Sequence, residues 1–106
     1  MTSFEEREQA FEKKYAHDAE MQFKAEARRD KLLGLWAADL MGMTGEAAED
    51  YAKSVVIADL EEAGDEDVYR KVSADMEAKG VSTDGLRAKM AELLIEAKSQ
   101  VMNEAG

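Results

Sequence analysis

The 106-residue chain contains no cysteine and no proline. Without cysteine the chain has neither a disulfide framework nor a thiolate metal site, which fits a reducing cytosol. Its longest apolar runs are only a few residues, far below the ~20 needed to span a membrane, and no signal-peptide pattern opens the sequence. We therefore expect a cytoplasmic protein with no direct membrane insertion.

Residues that favour strands are also scarce. Val55, Val56 and Ile57 form the one cluster of β-branched residues, while Ala, Glu, Lys, Leu, Asp and Met dominate the composition. These residues and the missing proline favour helix almost everywhere. The length fits a single compact domain, so the sequence predicts one all-α unit.

The charge of the chain is strongly negative and uneven. Its formal net charge is −10. Residues 1–31 carry seven Lys and Arg against eight Asp and Glu, net −1, whereas residues 32–106 carry seven against sixteen, net −9. Because nucleic-acid binding normally needs a basic face, we expect no nucleic-acid partner.

Apolar residues recur at helical spacing on one face of each predicted helix. Gly42 with Gly45, then Gly64 and Gly80, separate these helices, and Thr44 and either Ser82 or Thr83 are candidate N-caps. Helices with a single apolar face pack with these faces together. We therefore expect residues 19–106 to form a small four-helix bundle. The predicted faces are Leu33, Trp36, Leu40 and Met43; Ala48, Tyr51, Ala52, Val55, Val56 and Leu60; Val68, Val72 and Met76; and Leu86, Met90, Leu93, Leu94 and Val101.

The first predicted helix is too long for the rest of the chain to cover. Gly34 is the first helix-breaking residue, and a helix from Ser3 to Met41 would be roughly 60 Å long, whereas the later helices reach about 22 to 30 Å. Residues 1–18 therefore form a predicted N-terminal arm, helical or partly disordered when free.

Aromatic residues are concentrated in and near this arm. Phe4, Phe11 and Tyr15 fall on one side of a helical wheel. Such a face is typical of a helix that docks into a partner's groove. The alternative is that the arm folds back and these aromatics are ordinary core residues.

Residues with catalytic or ligand-binding potential are few. The acidic stretch 59–70 fails as a calcium loop because Ala63 and Arg70 occupy positions that need oxygen ligands. No nucleophile–base pair or metal cluster is recognisable, so we expect neither an enzyme nor a metal site. His17 is either a pH switch of the arm or an inert surface residue. A basic segment contains Lys24, Arg28, Arg29 and Lys31. These side chains either lie on a solvent-exposed helix face or contact the phosphates of a nucleotide.

Several segments of the sequence resemble one protein family. These are Phe4-Glu-Glu-Arg-Glu8, the stretch from Phe11 to Glu20, and Phe23-Lys-Ala-Glu-Ala-Arg-Arg-Asp-Lys-Leu-Leu-Gly-Leu-Trp-Ala-Ala38, with Gly64-Asp-Glu-Asp-Val68 and Arg87-Ala-Lys-Met90 further on. Together they are similar to the alphaproteobacterial zeta subunit, the inhibitor of the F-type ATP synthase. The resemblance extends over essentially the whole chain.

The resemblance implies a four-helix bundle that carries an N-terminal inhibitory arm. It implies that the arm inserts between subunits of the catalytic sector, alpha, beta and gamma, and blocks ATP hydrolysis at the cytoplasmic face of the inner membrane. Carried over by position, residues 2–18 form the inhibitory stretch. Its contact candidates are Phe4, Arg7, Glu8, Phe11, Glu12, Lys14 and Tyr15. We expect a monomer when free and no required cofactor.

Two other functions are compatible with the same residues. The chain could be a helical adaptor whose arm docks on an unrelated protein. It could also be a regulatory bundle that binds ATP or ADP weakly through the segment from Lys24 to Lys31, although the surrounding acidity and the missing glycine-rich loop oppose phosphate binding.

Overall fold

The computed structural model describes residues 3–62 and 64–105, with side chains from residue 6 onward. Five helices occupy these residues, and no strand occurs among them. The predicted all-α class is confirmed. The helices are α1 (Ser3–Tyr15), α2 (Ala19–Leu40), α3 (Gly45–Glu61), α4 (Asp65–Ala78) and α5 (Leu86–Ala105).

Helix α2 is the central element, because it contacts each of the other four helices. Helix α3 packs along it on one side and α5 on another, while α1 lies against α5 and touches α2. The main hydrophobic core lies among α2 to α5 and contains Leu33, Ala37, Val55, Val68, Val72, Met76, Leu86 and Met90. A smaller second cluster joins α1 to α2 and α5 through Phe11, Met21, Ala25 and Val101.

The expectation of one helix through residues 3–41 is wrong. Helix α1 ends at Tyr15, and a turn precedes α2. Asp18 is the N-cap of α2, with its side chain accepting a hydrogen bond from the Met21 backbone N–H at 3.1 Å. The Gln22 side chain also donates to the Tyr15 carbonyl oxygen at 3.0 Å, which ties the end of α1 to α2. The capped turn lets α1 reverse onto the rest of the molecule.

The predicted apolar faces agree with the structure best in α4 and worst in α2. Val68, Val72 and Met76 are all buried, as predicted. In α2, Leu33 is buried, but Trp36 only borders the core and Leu40 is 45% exposed. The buried face of α2 instead follows residues spaced by four, namely Ala25, Arg29, Leu33 and Ala37.

Two other helix details differ from the sequence expectations. Helix α5 begins at Leu86, later than a cap at Ser82 or Thr83 implied, because a turn with Gly85 at φ +80° precedes it. Thr44 does hold the N-cap position of α3, but its side chain makes no capping hydrogen bond.

Gly34 permits the close approach of α2 and α3. A Cβ atom on this buried residue would lie 2.5 Å from the Cα atom of Ala52. Because backbone cannot move aside as a flexible side chain can, the two helices would have to separate.

We therefore expect Gly34→Ala to lower the free energy of unfolding by about 1–3 kcal/mol, the usual cost of overpacking. Chemical denaturation monitored by circular dichroism measures this loss. In a helix with free space the same change would stabilise by up to about 1 kcal/mol. A gain in stability would therefore contradict the observed helix spacing.

Candidate functional site

The candidate interaction helix α1 is anchored to the rest of the chain by Phe11. Its side chain is fully buried and packs with Met21, Ala25 and Val101. The Tyr15 ring lies one turn further along, with its centroid 5.2 Å from that of Phe11. Phe11 and Tyr15 therefore share a face, as the helical wheel predicts, but that face is turned towards α2 and α5.

Charged contacts surround this anchor. The Lys98 ammonium of α5 lies 2.7 Å from a Glu12 carboxylate oxygen and 3.7 Å from one of Glu8. It also lies 5.7 Å from the centroid of the Phe11 ring. Lys98 is only 7% exposed. A buried ammonium needs opposite charges close by. Glu8 and Glu12 of α1 supply these negative charges to Lys98.

A further ion pair extends this contact towards the start of α1. The Arg7 guanidinium lies 3.5 Å from the Glu96 carboxylate of α5, and both side chains are at least 40% exposed. Exposed pairs of this kind contribute little. Among the described side chains, Phe11 and Lys98 make the most deeply buried contacts between α1 and the rest of the protein.

Some of the predicted arm residues therefore contact the rest of the protein, and others are exposed to solvent. Arg7, Glu8, Phe11 and Glu12 contact α5 or its neighbours, and Tyr15 is half-buried. Lys14 is exposed, with its ammonium 5.3 Å from the Tyr15 ring centroid. The Phe4 side chain lies outside the described residues. The structure corrects the expectation that α1 lacks intramolecular partners and shows the folded-back alternative.

His17 lies exposed in the turn between α1 and α2. Its role as a pH switch stays a prediction.

The basic segment does not form one patch. Lys24, Arg28 and Lys31 line a groove beside α5. Arg28 is held by both carboxylate oxygens of Glu104 at 2.7 Å, and this contact raises the pKa of Arg28. Lys24 pairs with Glu20 at 3.4 Å. Carboxylates therefore already engage two of the three cations that nucleotide phosphates would need.

Arg29 does not line this groove. Its burial contradicts both expectations for it, a solvent-exposed position and a contact with nucleotide phosphates. It is 2% exposed. Its Nε donates to Asp30 at 2.8 Å, and its Nη2 donates to Asp65 of α4 at 3.0 Å. Since a buried guanidinium requires such partners, Arg29 serves the packing of α2 against α4 and is not available to a phosphate. Its place in the row Ala25, Arg29, Leu33, Ala37 is the sequence signal for its burial.

Asp30 is a buried acid at the boundary of α2 and α3. It is 1% exposed. Burial, together with a hydrogen bond to Asp59, raises the pKa of Asp30 to about 8, although the neighbouring Arg29 guanidinium opposes this shift. Its carboxyl group consequently holds a proton over much of the range in which exposed carboxyl groups are ionised.

Among residues 3–62 and 64–105 no cluster of metal-ligating side chains occurs. None of the helices in these ranges is both long and apolar enough to cross a membrane.

Comparison with known proteins identifies the relatives of this structure. A protein structure determined by solution NMR superimposes with a TM-score of 0.70 and is 54% identical, covering 79% of this chain and 98% of that one. A comparison with curated proteins finds no match. The family model for ATPase inhibitor subunit zeta matches residues 1–100. A match over nearly the full length confirms the resemblance found in the sequence, and the chain belongs to the ATPase inhibitor subunit zeta family.

Proposed function

We propose that this protein inhibits ATP hydrolysis by the F-type ATP synthase through residues 1–18. In this proposal the protein binds the catalytic sector, contacting its alpha, beta and gamma subunits, at the cytoplasmic face of the membrane. Family membership supports an ATPase inhibitor that acts by binding, without chemistry of its own. The inhibitory segment includes α1, with Phe11 and Tyr15 as anchors and Arg7 and Lys14 as charged contacts.

The observation that carries the proposal is the limited attachment of α1. Among the α1 side chains that the structure describes, residues 6–15, one is fully buried, Phe11, which packs on α2 and α5; Glu8 and Glu12 pair with Lys98. Burying such a side chain contributes roughly 1.5–3 kcal/mol, and partly exposed ion pairs add about 0.2–1 kcal/mol each. The docked state is therefore favoured over a released state by only a few kcal/mol. A difference of this size leaves a minor state populated at about 0.1–10%.

The Phe11 side chain cannot be buried against α2 and α5 and contact a partner protein at the same time. Phe11 is completely enclosed when α1 is docked, so an anchoring role requires α1 to leave α5. The turn that contains His17 would act as the hinge for this movement, because it connects α1 to α2. A released α1 would wedge into an interface that opens and closes during each catalytic cycle and would stabilise one of its states.

Lys98→Met tests this proposal because it changes docking without altering α1. The variant keeps a long aliphatic side chain but loses the ion pairs with Glu8 and Glu12. More α1 is then released, and the apparent affinity for a partner rises in proportion to the competent fraction. We expect half-maximal inhibition of ATP hydrolysis at a several-fold lower protein concentration than for the wild type.

The assay uses the isolated catalytic sector of the same organism, freed of endogenous inhibitor. Lys89→Met, which removes another cation from α5 that pairs with Glu92 instead, is the matched control and should behave as the wild type. Weaker inhibition by Lys98→Met, with its fold intact, would contradict release of α1. Absence of inhibition by the wild type would contradict the proposed function itself.

A further inference from the structure

The turn between α1 and α2 contains no residue that prevents helix formation. It consists of Ala16, His17 and Asp18. The first glycine of the chain is Gly34, and proline is absent. Each of the three turn residues can adopt helical dihedral angles, and alanine favours them. The turn can therefore convert to helix, which would join α1 to α2.

A continuous helix would also satisfy the backbone groups that meet at this turn. The last four carbonyl groups of a helix and its first four N–H groups have no partner inside that helix. At the turn, the Tyr15 carbonyl accepts from the Asp18 N–H and from the Gln22 side chain, both at 3.0 Å. The Asp18 carboxylate accepts from the Met21 N–H at 3.1 Å. In a continuous helix the carbonyl groups at the end of α1 would instead accept from the N–H groups at the start of α2.

The same conversion would carry α1 beyond the reach of the surface on which it docks. A helix through residues 3–40 would be roughly 57 Å long, whereas the longest dimension of the folded chain is 40 Å. Phe11 would lie roughly 21 Å along the helix axis from Ala25, with which it shares a buried cluster in the docked state. Phe11 and its docking surface would then both be exposed.

The surface that α1 leaves fits one kind of occupant. We call it the α1 seat, and it consists of four buried residues of α2 and α5, Met21, Ala25, Lys98 and Val101. Phe11 fills its apolar part, while Glu8 and Glu12 pair with the Lys98 ammonium. The α1 helix of a second copy presents the same side chains at the same spacing, so it fits the seat equally well.

We propose that two copies of this chain exchange α1 and form a symmetric dimer at high protein concentration. In each copy α1 and α2 form one continuous helix, and α1 occupies the seat of the other copy. Both Phe11 side chains are buried again and both Lys98 ammonium groups regain their glutamates, as in other dimers that exchange an element. Because α1 reaches the seat of its own chain at a high effective concentration, the expected monomer prevails in dilute solution. The exchange concerns the free chain and does not depend on inhibition of the ATP synthase.

A crosslink between two single-cysteine variants tests the exchange. Arg7→Cys and Glu96→Cys place one thiol on each side of the α1–α5 contact, where guanidinium and carboxylate lie 3.5 Å apart, and the chain has no other cysteine. Arg7→Cys first reacts with excess short bismaleimide, is freed of reagent, and is then mixed with Glu96→Cys at high concentration. We expect a crosslinked pair of chains whose yield falls on dilution.

The control for random collisions mixes the same activated Arg7→Cys with Asp50→Cys. Residue 50 is exposed on α3, a helix that α1 does not contact in the described part of the chain. The yield with Glu96→Cys should be severalfold higher than with this control. Equal yields from the two mixtures would overturn the exchange of α1.

Sedimentation velocity of turn variants tests the continuous helix. Asp18→Ala removes the N-cap of α2 and favours helix at the turn. Because each dimer contains two such turns, the Kd of the dimer should fall about tenfold or more. His17→Gly disfavours helix and should raise the Kd, whereas Asp50→Ala, an exposed site on α3, should leave it unchanged. Absence of a dimer even in Asp18→Ala, or a Kd that neither turn variant changes, would overturn the proposal.

Discussion

Phe11→Ala should release α1 from the rest of the molecule while α2 to α5 stay folded. Removing a buried phenylalanine side chain typically costs about 3–5 kcal/mol. Here the loss is limited by the free energy of docking, because α1 can detach instead of keeping a cavity beside Met21, Ala25 and Val101. Amide hydrogen exchange should therefore show α1 losing its protection, while the amides around Leu33 and Val72 exchange at nearly wild-type rates.

The same variant should be a poorer inhibitor, which distinguishes it from Lys98→Met. Both variants favour release of α1, but only Phe11→Ala removes a proposed anchor for the partner. Lys14→Ala, which alters an exposed residue on the same helix, is the control for amide protection. Full protection of α1 in Phe11→Ala would contradict the anchoring role of Phe11 in the docked state.

Asp30→Asn should change how the stability of the protein depends on pH. The pKa of Asp30 is raised to about 8 in the folded chain, against about 3.9 for an unfolded aspartate. Between these values the folded state holds one proton more than the unfolded state. The free energy of unfolding therefore falls as pH rises through this window and levels off above it, by at most about 1.4 kcal/mol per pH unit.

The asparagine cannot titrate, so the variant should gain stability relative to the wild type as pH rises from 5 to 8. The charged groups around residue 30 are Arg29 and Glu26 on α2, Asp59 on α3 and, through Arg29, Asp65 on α4. Denaturation at several pH values measures the difference between variant and wild type. Asp50→Asn corrects for the loss of one acidic residue. A difference that stays constant, or that falls with rising pH, would contradict a protonated buried Asp30.

The helical class and the position of α4 could be predicted from the sequence for physical reasons. The chain lacks proline and is rich in residues that favour helices. In α4 the spacing of Val68, Val72 and Met76 defines a single apolar face, and Gly64 and Gly80 bound it. Local signals were sufficient there because each of them indicated the same boundaries.

The break before α2 was missed because neither glycine nor proline marks it. The available signal was Asp18, a residue type favoured at N-caps, but residue 21 is methionine, so the glutamate or glutamine of a capping box is absent at N3. The helical wheel correctly placed Phe11 and Tyr15 on one face of α1. It could not show that the surface receiving Phe11 belongs to the same chain, because Val101 is 90 residues away in sequence.

The buried charges were missed for a related reason. Arg29 and Asp30 are stabilised by tertiary contacts with Asp65 and Asp59, about 30 residues further along the chain. A local pattern of charges is the same whether such contacts form or not.

Inhibition is proposed to require that α1 leave α5, and a covalent restraint gives the sharpest test of this claim. Because the chain has no cysteine, Arg7→Cys with Glu96→Cys introduces a unique pair across the α1–α5 contact, which a short bismaleimide can bridge. The same double variant with each thiol capped separately is the control. We predict that the capped protein inhibits ATP hydrolysis by the catalytic sector and that the bridged protein does not. Equal inhibition by the two forms would contradict the claim.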